Sequence, residues 1–355
     1  MGNVPGGQLP AAVAMREALY GQLLSRALCT VAKLGIPGLL GDGPRSAESL
    51  ADSVRANPAS LRRVLRALTA FDVFTEHEGG TFGLTPFGAT LRADAPMSAL
   101  PTALLAGAEV GAAWNELEDV VRTGKPAFPE LFGQDFFDYL QANPELRGVL
   151  DRSQAEGMAL EIDELIACLD VTGRRTVVDV GGGDGALLAH LLSADPQLRG
   201  ALVDLPSVVA VARDRLARRG LADRCDFVAG DFFEDVIPGG GDLYLLRNIL
   251  HNWSDERCVA LLRNCRGRMP EDATLAVVDM VAAEPTATAS AQRMTGLMDL
   301  YMMCLFGAGR ERGTGEFAEL LDRAGFAVSR VSVLSMAVAV VEATPVRAAG
   351  PDLRT

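Results

Sequence analysis

Arg175-Thr-Val-Val-Asp-Val-Gly-Gly-Gly-Asp-Gly-Ala-Leu-Leu-Ala-His-Leu-Leu-Ser-Ala-Asp-Pro-Gln-Leu-Arg-Gly-Ala-Leu-Val-Asp204 is the stretch that decides the fold. A β-branched run, Thr176-Val177-Val178, leads through Asp179 and Val180 into Gly181-Gly182-Gly183-Asp184-Gly185. Leucines at 187, 188, 191 and 192 then recur at helical spacing. The reading is strand, glycine turn, helix. Glycine suits the turn because the backbone must bend sharply and approach a ligand closely, which a Cβ would block. The next apolar run, Ala201-Leu202-Val203, ends in Asp204, where a doubly wound sheet puts an acid on ribose hydroxyls. The stretch therefore reads as a nucleotide-binding half-fold. Gly181, Gly183 and Ala186 also satisfy the G-x-G-x-x-G/A dinucleotide pattern, so a nicotinamide cofactor stays open at this point.

Outward from that stretch, strands are expected near 176–180, 199–204, 225–228, 242–247 and 274–280, with helices at 185–193, 207–219 and 254–268 between them. Such alternation predicts an α/β domain built on a parallel sheet covered on both faces. Helices at 291–305 and 314–324 and two strands, 327–333 and 336–343, complete it. On the N-terminal side, apolar residues recur at helical spacing from Ala12 to Leu40, including Leu19, Leu23, Leu24 and Val31. Helices at 47–55 and 59–71 follow caps at Ser46 and Asn57-Pro58, and a hairpin over 73–84 turns at Glu78-Gly79-Gly80. This is a winged-helix order, used by DNA-binding proteins and by dimer interfaces alike. Arg62, Arg63 and Arg66 could reach phosphates from the third helix. The expected division is a flexible start (1–11), a winged-helix-like dimerisation domain (12–100), connecting helices that help form a substrate pocket (101–170), a Rossmann-like domain (171–344) and a flexible tail (345–355).

Composition narrows the function. The 355 residues are 49% hydrophobic and 22% charged, with a formal net charge of -13, which argues against nucleic acid as a partner. No apolar run reaches membrane-spanning length and no signal-like leader begins the chain, so a cytoplasmic protein with no membrane partner is expected. Six cysteines lack any C-x-x-C pair, so no metal site is expected and the thiols read as reduced, buried residues.

In an open α/β sheet, ligands lie beyond the carboxyl ends of the strands. Five expected ends carry polar groups: Gly181, Asp204, Asp231, Arg247 to His251, and Asp279. Asp231-Phe232 pairs a carboxylate with an aromatic ring, suited to an adenine amino group and its face. A dinucleotide site seldom needs that second acid; an adenosyl site does. His251, one of three histidines, lies just past a strand end on the ligand side and is the natural base there.

The ordered motifs VVDVGGGDG, LVDLP, GDFF, LRNILHNWSDE and GRERGTGEF resemble those of the plant-caffeate and bacterial-antibiotic type of S-adenosylmethionine-dependent O-methyltransferase. The resemblance spans nearly the whole chain. It implies a class I methyltransferase fold, S-adenosyl-L-methionine as cofactor with S-adenosyl-L-homocysteine as product, and a homodimer formed through the N-terminal domain. It places Gly181 at the methionine part, Asp204 at the ribose hydroxyls, Asp231 and Phe232 at the adenine and Arg247 near the cofactor, with Gly183 and Leu205 as further cofactor-binding residues. His251 becomes the general base, with Asp279 and Glu311 as orienting acids. Glu311, between Arg310 and Arg312, could instead be a solvated charge cluster. Where relatives have Asp before the tryptophan, this chain has Asn252 before Trp253. Candidate walls for a small aromatic substrate are Trp114, Met158, Asn252, Met298, Met302 and Phe306.

The expected reaction is methyl transfer to a hydroxyl of a phenol, hydroquinone or polyketide-type antibiotic intermediate. Alternatives are N- or C-methylation, hydroxylation or decarboxylation on the same site, a ligand-sensing DNA-binding regulator, and a nicotinamide-linked oxidoreductase.

Overall fold

The computed structural model describes residues 10–169, 171–282 and 288–346. They group into two compact units: residues up to Ala112 with Glu145–Glu156, and Ala113–Pro144 with residues from Gly157 onward. Of the expected flexible ends, Ala11 already belongs to a helix and Pro345 ends a strand. The remainder of 1–11 and 345–355, apart from Pro10 and Val346, lies outside the described residues.

In the first unit the long helix Ala11–Lys33 stops short of the expected Leu40. Gly35 takes a left-handed φ of 70° and Pro37 follows it, so a separate short helix, Ile36–Leu39, begins there. Helices Ala47–Val54 and Pro58–Thr69 start at the expected caps: Ser46 accepts from Ser49 N, and Asn57 from Ser60 N at 2.9 Å. Strands β1 (Arg45–Ser46), β2 (Phe74–Glu76) and β3 (Thr81–Leu84) form an antiparallel sheet ordered β1-β3-β2. Gly79 and Gly80, both at positive φ, turn the β2–β3 hairpin. Leu50, Leu65, Leu68, Phe74 and Phe82 fill the core. Of the arginines considered for phosphate contact, Arg62 pairs with Glu48 at 2.5 Å and Arg66 with Glu76 at 2.8 Å. On the first helix Met15, Leu19, Tyr20 and Leu23 stand exposed.

The second unit holds a seven-stranded sheet ordered β6-β5-β4-β7-β8-β10-β9. Its strands are β4 (Thr176–Val180), β5 (Arg199–Asp204), β6 (Cys225–Ala229), β7 (Leu243–Arg247), β8 (Thr274–Met280), β9 (Phe326–Val333) and β10 (Val338–Pro345). Neighbours among β4 to β8 are parallel. The parallel expectation fails at the far edge. The chain reverses between Leu334 and Val338, with Ala337 at φ 59°, so β10 inserts antiparallel between β8 and β9. Strand order reverses at β4, flanked by β5 and β7, which opens the crevice at the carboxyl ends where a ligand is expected. Strands buried on both sides read as continuous apolar runs: Val177, Val178, Leu202, Leu245, Leu246 and Val277 are each 1% exposed or less. No helix among the described residues is long and apolar enough to cross a membrane. The six cysteines are free thiols, all buried except the half-buried Cys168.

Candidate active site

At the carboxyl end of β4 the glycine turn carries positive φ at Gly181, Gly183 and Gly185, then enters helix Ala186–Ala194. A Cβ on Gly181 would lie 2.4 Å from Ile249 Cδ1, whereas one on Gly183 would point into open space. The Asp204 carboxylate, at the end of β5, accepts from Gly183 N at 2.9 Å and from Leu205 N at 2.7 Å. The turn and the acid are thus one hydrogen-bonded assembly. Asp231, past the end of β6, is exposed and accepts from Phe233 N at 2.9 Å. Phe232 reaches back to the turn, with its Cε1 3.5 Å from the Cβ position of Gly181.

Arg247 closes β7 and donates to Glu161 Oε1 at 3.2 Å. Beyond it Asn248 adopts φ 54°, a conformation that asparagine tolerates, and a short 3-10 turn, Leu250–Asn252, presents His251. Asp279 on β8 holds that turn by accepting from Ile249 N at 3.2 Å. His251 Nδ1 lies 3.2 Å from Glu311 Oε1, and Glu311 N donates to Asp299 at 2.9 Å. His251 is half-buried, and Asp279 and Glu311 are 1% and 5% exposed. Glu311 is therefore an interior partner of the imidazole, not a member of a solvated cluster.

Burial sets the electrostatics here. It works against the His251 imidazolium, but the charge of Asp279, the hydrogen bond and charge of Glu311 and the Asn248 backbone together hold its pKa above the ordinary histidine value. Burial lifts Asp279 to about 6 against the pull of His251. Asp179 rises to about 7 through burial and then the neighbouring Asp204 charge, partly offset by Arg247. Glu161 is also raised by burial, despite Arg247. Among the described residues, buried side-chain polar atoms without a partner are Asp179 Oδ2, Arg247 Nε, Asp279 Oδ2, Glu311 Oε2 and Trp114 Nε1. Four of these five line the strand ends or face His251. Buried polar atoms are ordinarily paired, so such a concentration makes these strand ends the candidate site for a polar ligand. No group of acids, cysteines and histidines suited to a metal occurs among the described residues.

The expected substrate walls separate. Phe306 packs on Phe136 and Phe137 with ring centroids 5.4 and 5.3 Å away, and Phe137 stacks on Trp253 at 6.2 Å. Trp253 in turn meets Phe232 edge-on, so one aromatic row links the expected adenine wall to the expected acceptor wall. Trp114 instead meets Tyr301 edge-on at 5.9 Å. On helix Ala289–Phe306, Tyr301 stands about 140° round the axis from Phe306. Met158 and Met302 are buried, and Met298 is half-buried. Asn252 spends its amide locally, donating to Asn248 O at 2.9 Å. Phe128, Phe132 and Tyr139 pack mainly on one another and read as core.

No sequence motif points to four further residues around the candidate site: Asp179 reads as part of a strand, Glu161 and Asp299 belong to helical stretches, and Arg312 reads as surface charge. The acid inside an otherwise apolar strand was the one available signal, for Asp179.

Known proteins resemble this chain over nearly its whole length. The model for the O-methyltransferase domain matches residues 114–327, and that for the O-methyltransferase dimerisation domain matches residues 17–94. The chain is 44% identical to O-methyltransferase SfmM3 of Streptomyces lavendulae, over 94% of this chain and 100% of the relative. It is 35% identical to phenazine-1-carboxylate N-methyltransferase of Pseudomonas aeruginosa, over 92% and 96%. Among solved structures, the O-methyltransferase NcsB1 from neocarzinostatin biosynthesis, in complex with S-adenosylmethionine and 2-hydroxy-5-methyl naphthoic acid, superposes with a TM-score of 0.80. It is 33% identical, and the match covers 91% of this chain and 96% of NcsB1.

Proposed function

Because this chain belongs to the S-adenosylmethionine-dependent O-methyltransferase family of bacterial antibiotic biosynthesis, we propose that it methylates a hydroxyl of a small aromatic natural product, with His251 as general base. The observation that carries this reading is the pairing of His251 with the buried Glu311 beside the buried Asp279, where Asp279 Oδ2 and Glu311 Oε2 have no partner.

The residues present fit the cofactor. Asp204 is poised for ribose hydroxyls, Asp231 and Phe232 offer an acceptor and a ring face for adenine, and Gly183 leaves room for close approach. Gly181, Leu205 and Arg247 complete that wall, where the unpartnered Arg247 Nε can donate to a carboxylate and Asp179 Oδ2 can accept from an amino group. When bound, the cofactor supplies an electrophilic sulfonium methyl. The protein has two tasks: to hold the acceptor in line and to take its proton. A phenol titrates near ~10, so a histidine cannot ionise it fully beforehand and proton removal accompanies attack. Glu311 accepts from Nδ1, which keeps the imidazole oriented and stabilises the imidazolium as it forms. Asp279 adds charge and fixes the turn. Phe306, Phe137, Met298 and Met302 supply apolar walls for a flat acceptor; Met158 and Trp114 are assigned to its periphery.

The base favours oxygen as acceptor, since an aryl amine has a lone pair to attack with before any proton leaves. The same pair favours methyl transfer over hydroxylation or decarboxylation. A DNA-binding role loses its support with Arg62 and Arg66 paired to carboxylates, and a nicotinamide role with the family. The exposed Met15, Leu19, Tyr20 and Leu23 offer an apolar face for a second copy, in keeping with the dimerisation domain.

The test is incubation of the purified protein with methyl-labelled cofactor and a panel of phenols, hydroquinones and aryl amines, read by mass spectrometry. The expected product carries one labelled methyl on a hydroxyl oxygen. Label confined to nitrogen or carbon, or a product altered without label, overturns the reading.

A further inference from the structure

Arg312 has no exposure to solvent, an unusual place for a guanidinium, and what it touches explains it. Its Nη1 donates to Leu250 O at 2.8 Å, and its Nη2 to Trp253 O at 2.7 Å. These two carbonyls flank His251 and Asn252 along the chain. Nε and Nη2 also hold Asp255 Oδ1 at 3.1 and 2.8 Å. Next door, Arg310 N donates to His251 O at 2.8 Å, and the backbone at Arg312 pairs with Val281, two residues past Asp279.

We propose that Arg312, anchored by Asp255, is a positioning residue for methyl transfer: its planar fork grips the turn on both sides of His251 and sets the imidazole's distance to Glu311. The inference rests on the role given to His251 above. One short segment then supplies both the carboxylate that meets the ring and the clamp that fixes the ring's backbone. Three carbonyls of the base-bearing turn, at 250, 251 and 253, are held from residues 310 and 312. A fork with several N–H groups in fixed directions can bridge two carbonyls and a carboxylate at once; a lysine ammonium on a flexible stem cannot keep that geometry. Four hydrogen bonds also make the burial of the charge tolerable.

The experiment compares Arg312→Lys and Asp255→Asn with the parent enzyme, using acceptors whose hydroxyl pKa spans several units on either side of the assay pH. Affinity for adenosylhomocysteine is measured by calorimetry alongside. For weakly acidic phenols, kcat should fall roughly 10–10²-fold in Arg312→Lys and less in Asp255→Asn, because proton removal is compromised. For acceptors already ionised at the assay pH the loss should shrink to less than about threefold, since no base is needed. Affinity for adenosylhomocysteine should stay within about threefold. An equal loss for every acceptor shows mere structural support and overturns the proposal, as does an unchanged rate in both variants. Should Arg312→Lys fail to fold, Asp255→Asn carries the same test on its own. If His251→Ala itself lacks the dependence on acceptor pKa, the base assignment fails, independently of the clamp.

Discussion

The ring nitrogen Nδ1 of His251 and the carboxylate oxygen Oε1 of Glu311 are 3.2 Å apart, in an interior where the carboxylate is almost wholly withdrawn from water. On the role proposed for His251, a proton held there leaves Nε2 free to take the one an acceptor would give up.

This pairing predicts a pH profile. As the proposed base, His251 would have to be neutral, and its pKa stands above the ordinary value, so kcat/KM should rise as pH climbs through that raised pKa. Glu311→Gln removes both the hydrogen bond to a carboxylate and its charge. The rising limb should move to lower pH while the plateau drops roughly 10²-fold. A limb that stays in place at full plateau height would show that Glu311 does not act on the imidazole.

Gly181 and Gly183 should respond differently to a methyl group. Both have positive φ, so alanine costs each about 1–2 kcal/mol of stability. At Gly181 the methyl also meets Ile249, two residues before His251, adding to that loss. At Gly183 the methyl enters open space, where the cofactor is proposed to lie. We expect Gly183→Ala to keep most of its thermal stability and lose at least about tenfold in adenosylhomocysteine affinity, a loss of at least ~1.4 kcal/mol. Melting curves and calorimetry decide it; intact affinity in Gly183→Ala would remove the turn from the cofactor site.

Asp179 offers a stability test. Its carboxyl titrates near ~3.9 in an unfolded chain but at about 7 when buried here, so the folded protein prefers it protonated. The stability this confers is complete below the unfolded pKa and disappears as pH rises through about 7. Asp179→Asn carries no charge to bury. Relative to the parent, it should gain nothing at pH ~4 and up to roughly 4 kcal/mol above pH ~7, seen as a Tm difference that grows with pH. A difference independent of pH would mean that the Asp179 charge is already compensated.

The N-terminal unit should not bind duplex DNA even at low salt. Its two best-placed arginines already face Glu48 and Glu76, and the chain carries a net charge of -13. A mobility shift at low salt would reopen the regulator reading.

Much of this architecture was legible because periodicity and turn chemistry are local. The run Thr176 to Val180 and the glycines after it announce their strand and turn, and Ser46 and Asn57-Pro58 announce their helices. The direction of β10 was not legible, since an apolar strand reads the same whichever way it lies in a sheet. Within the candidate site, residues at strand ends can be named from sequence because topology gathers strand ends at one edge. Glu161, Asp299 and Arg312 cannot, because each comes from a helix or loop whose packing depends on distant chain. Arg312 shows the difficulty most plainly: between Glu311 and Gly313, in a run with two arginines, it reads as solvated charge, and only its tertiary partners make it interior.

The measurement that bears most directly on the account is single-turnover methyl transfer by His251→Ala with a weakly acidic phenol, together with its affinity for adenosylhomocysteine. We expect a rate lower by roughly 10²–10⁴-fold with affinity nearly unchanged. A variant that transfers methyl at the parent rate would contradict it, leaving positioning of the acceptor as the whole of the catalysis.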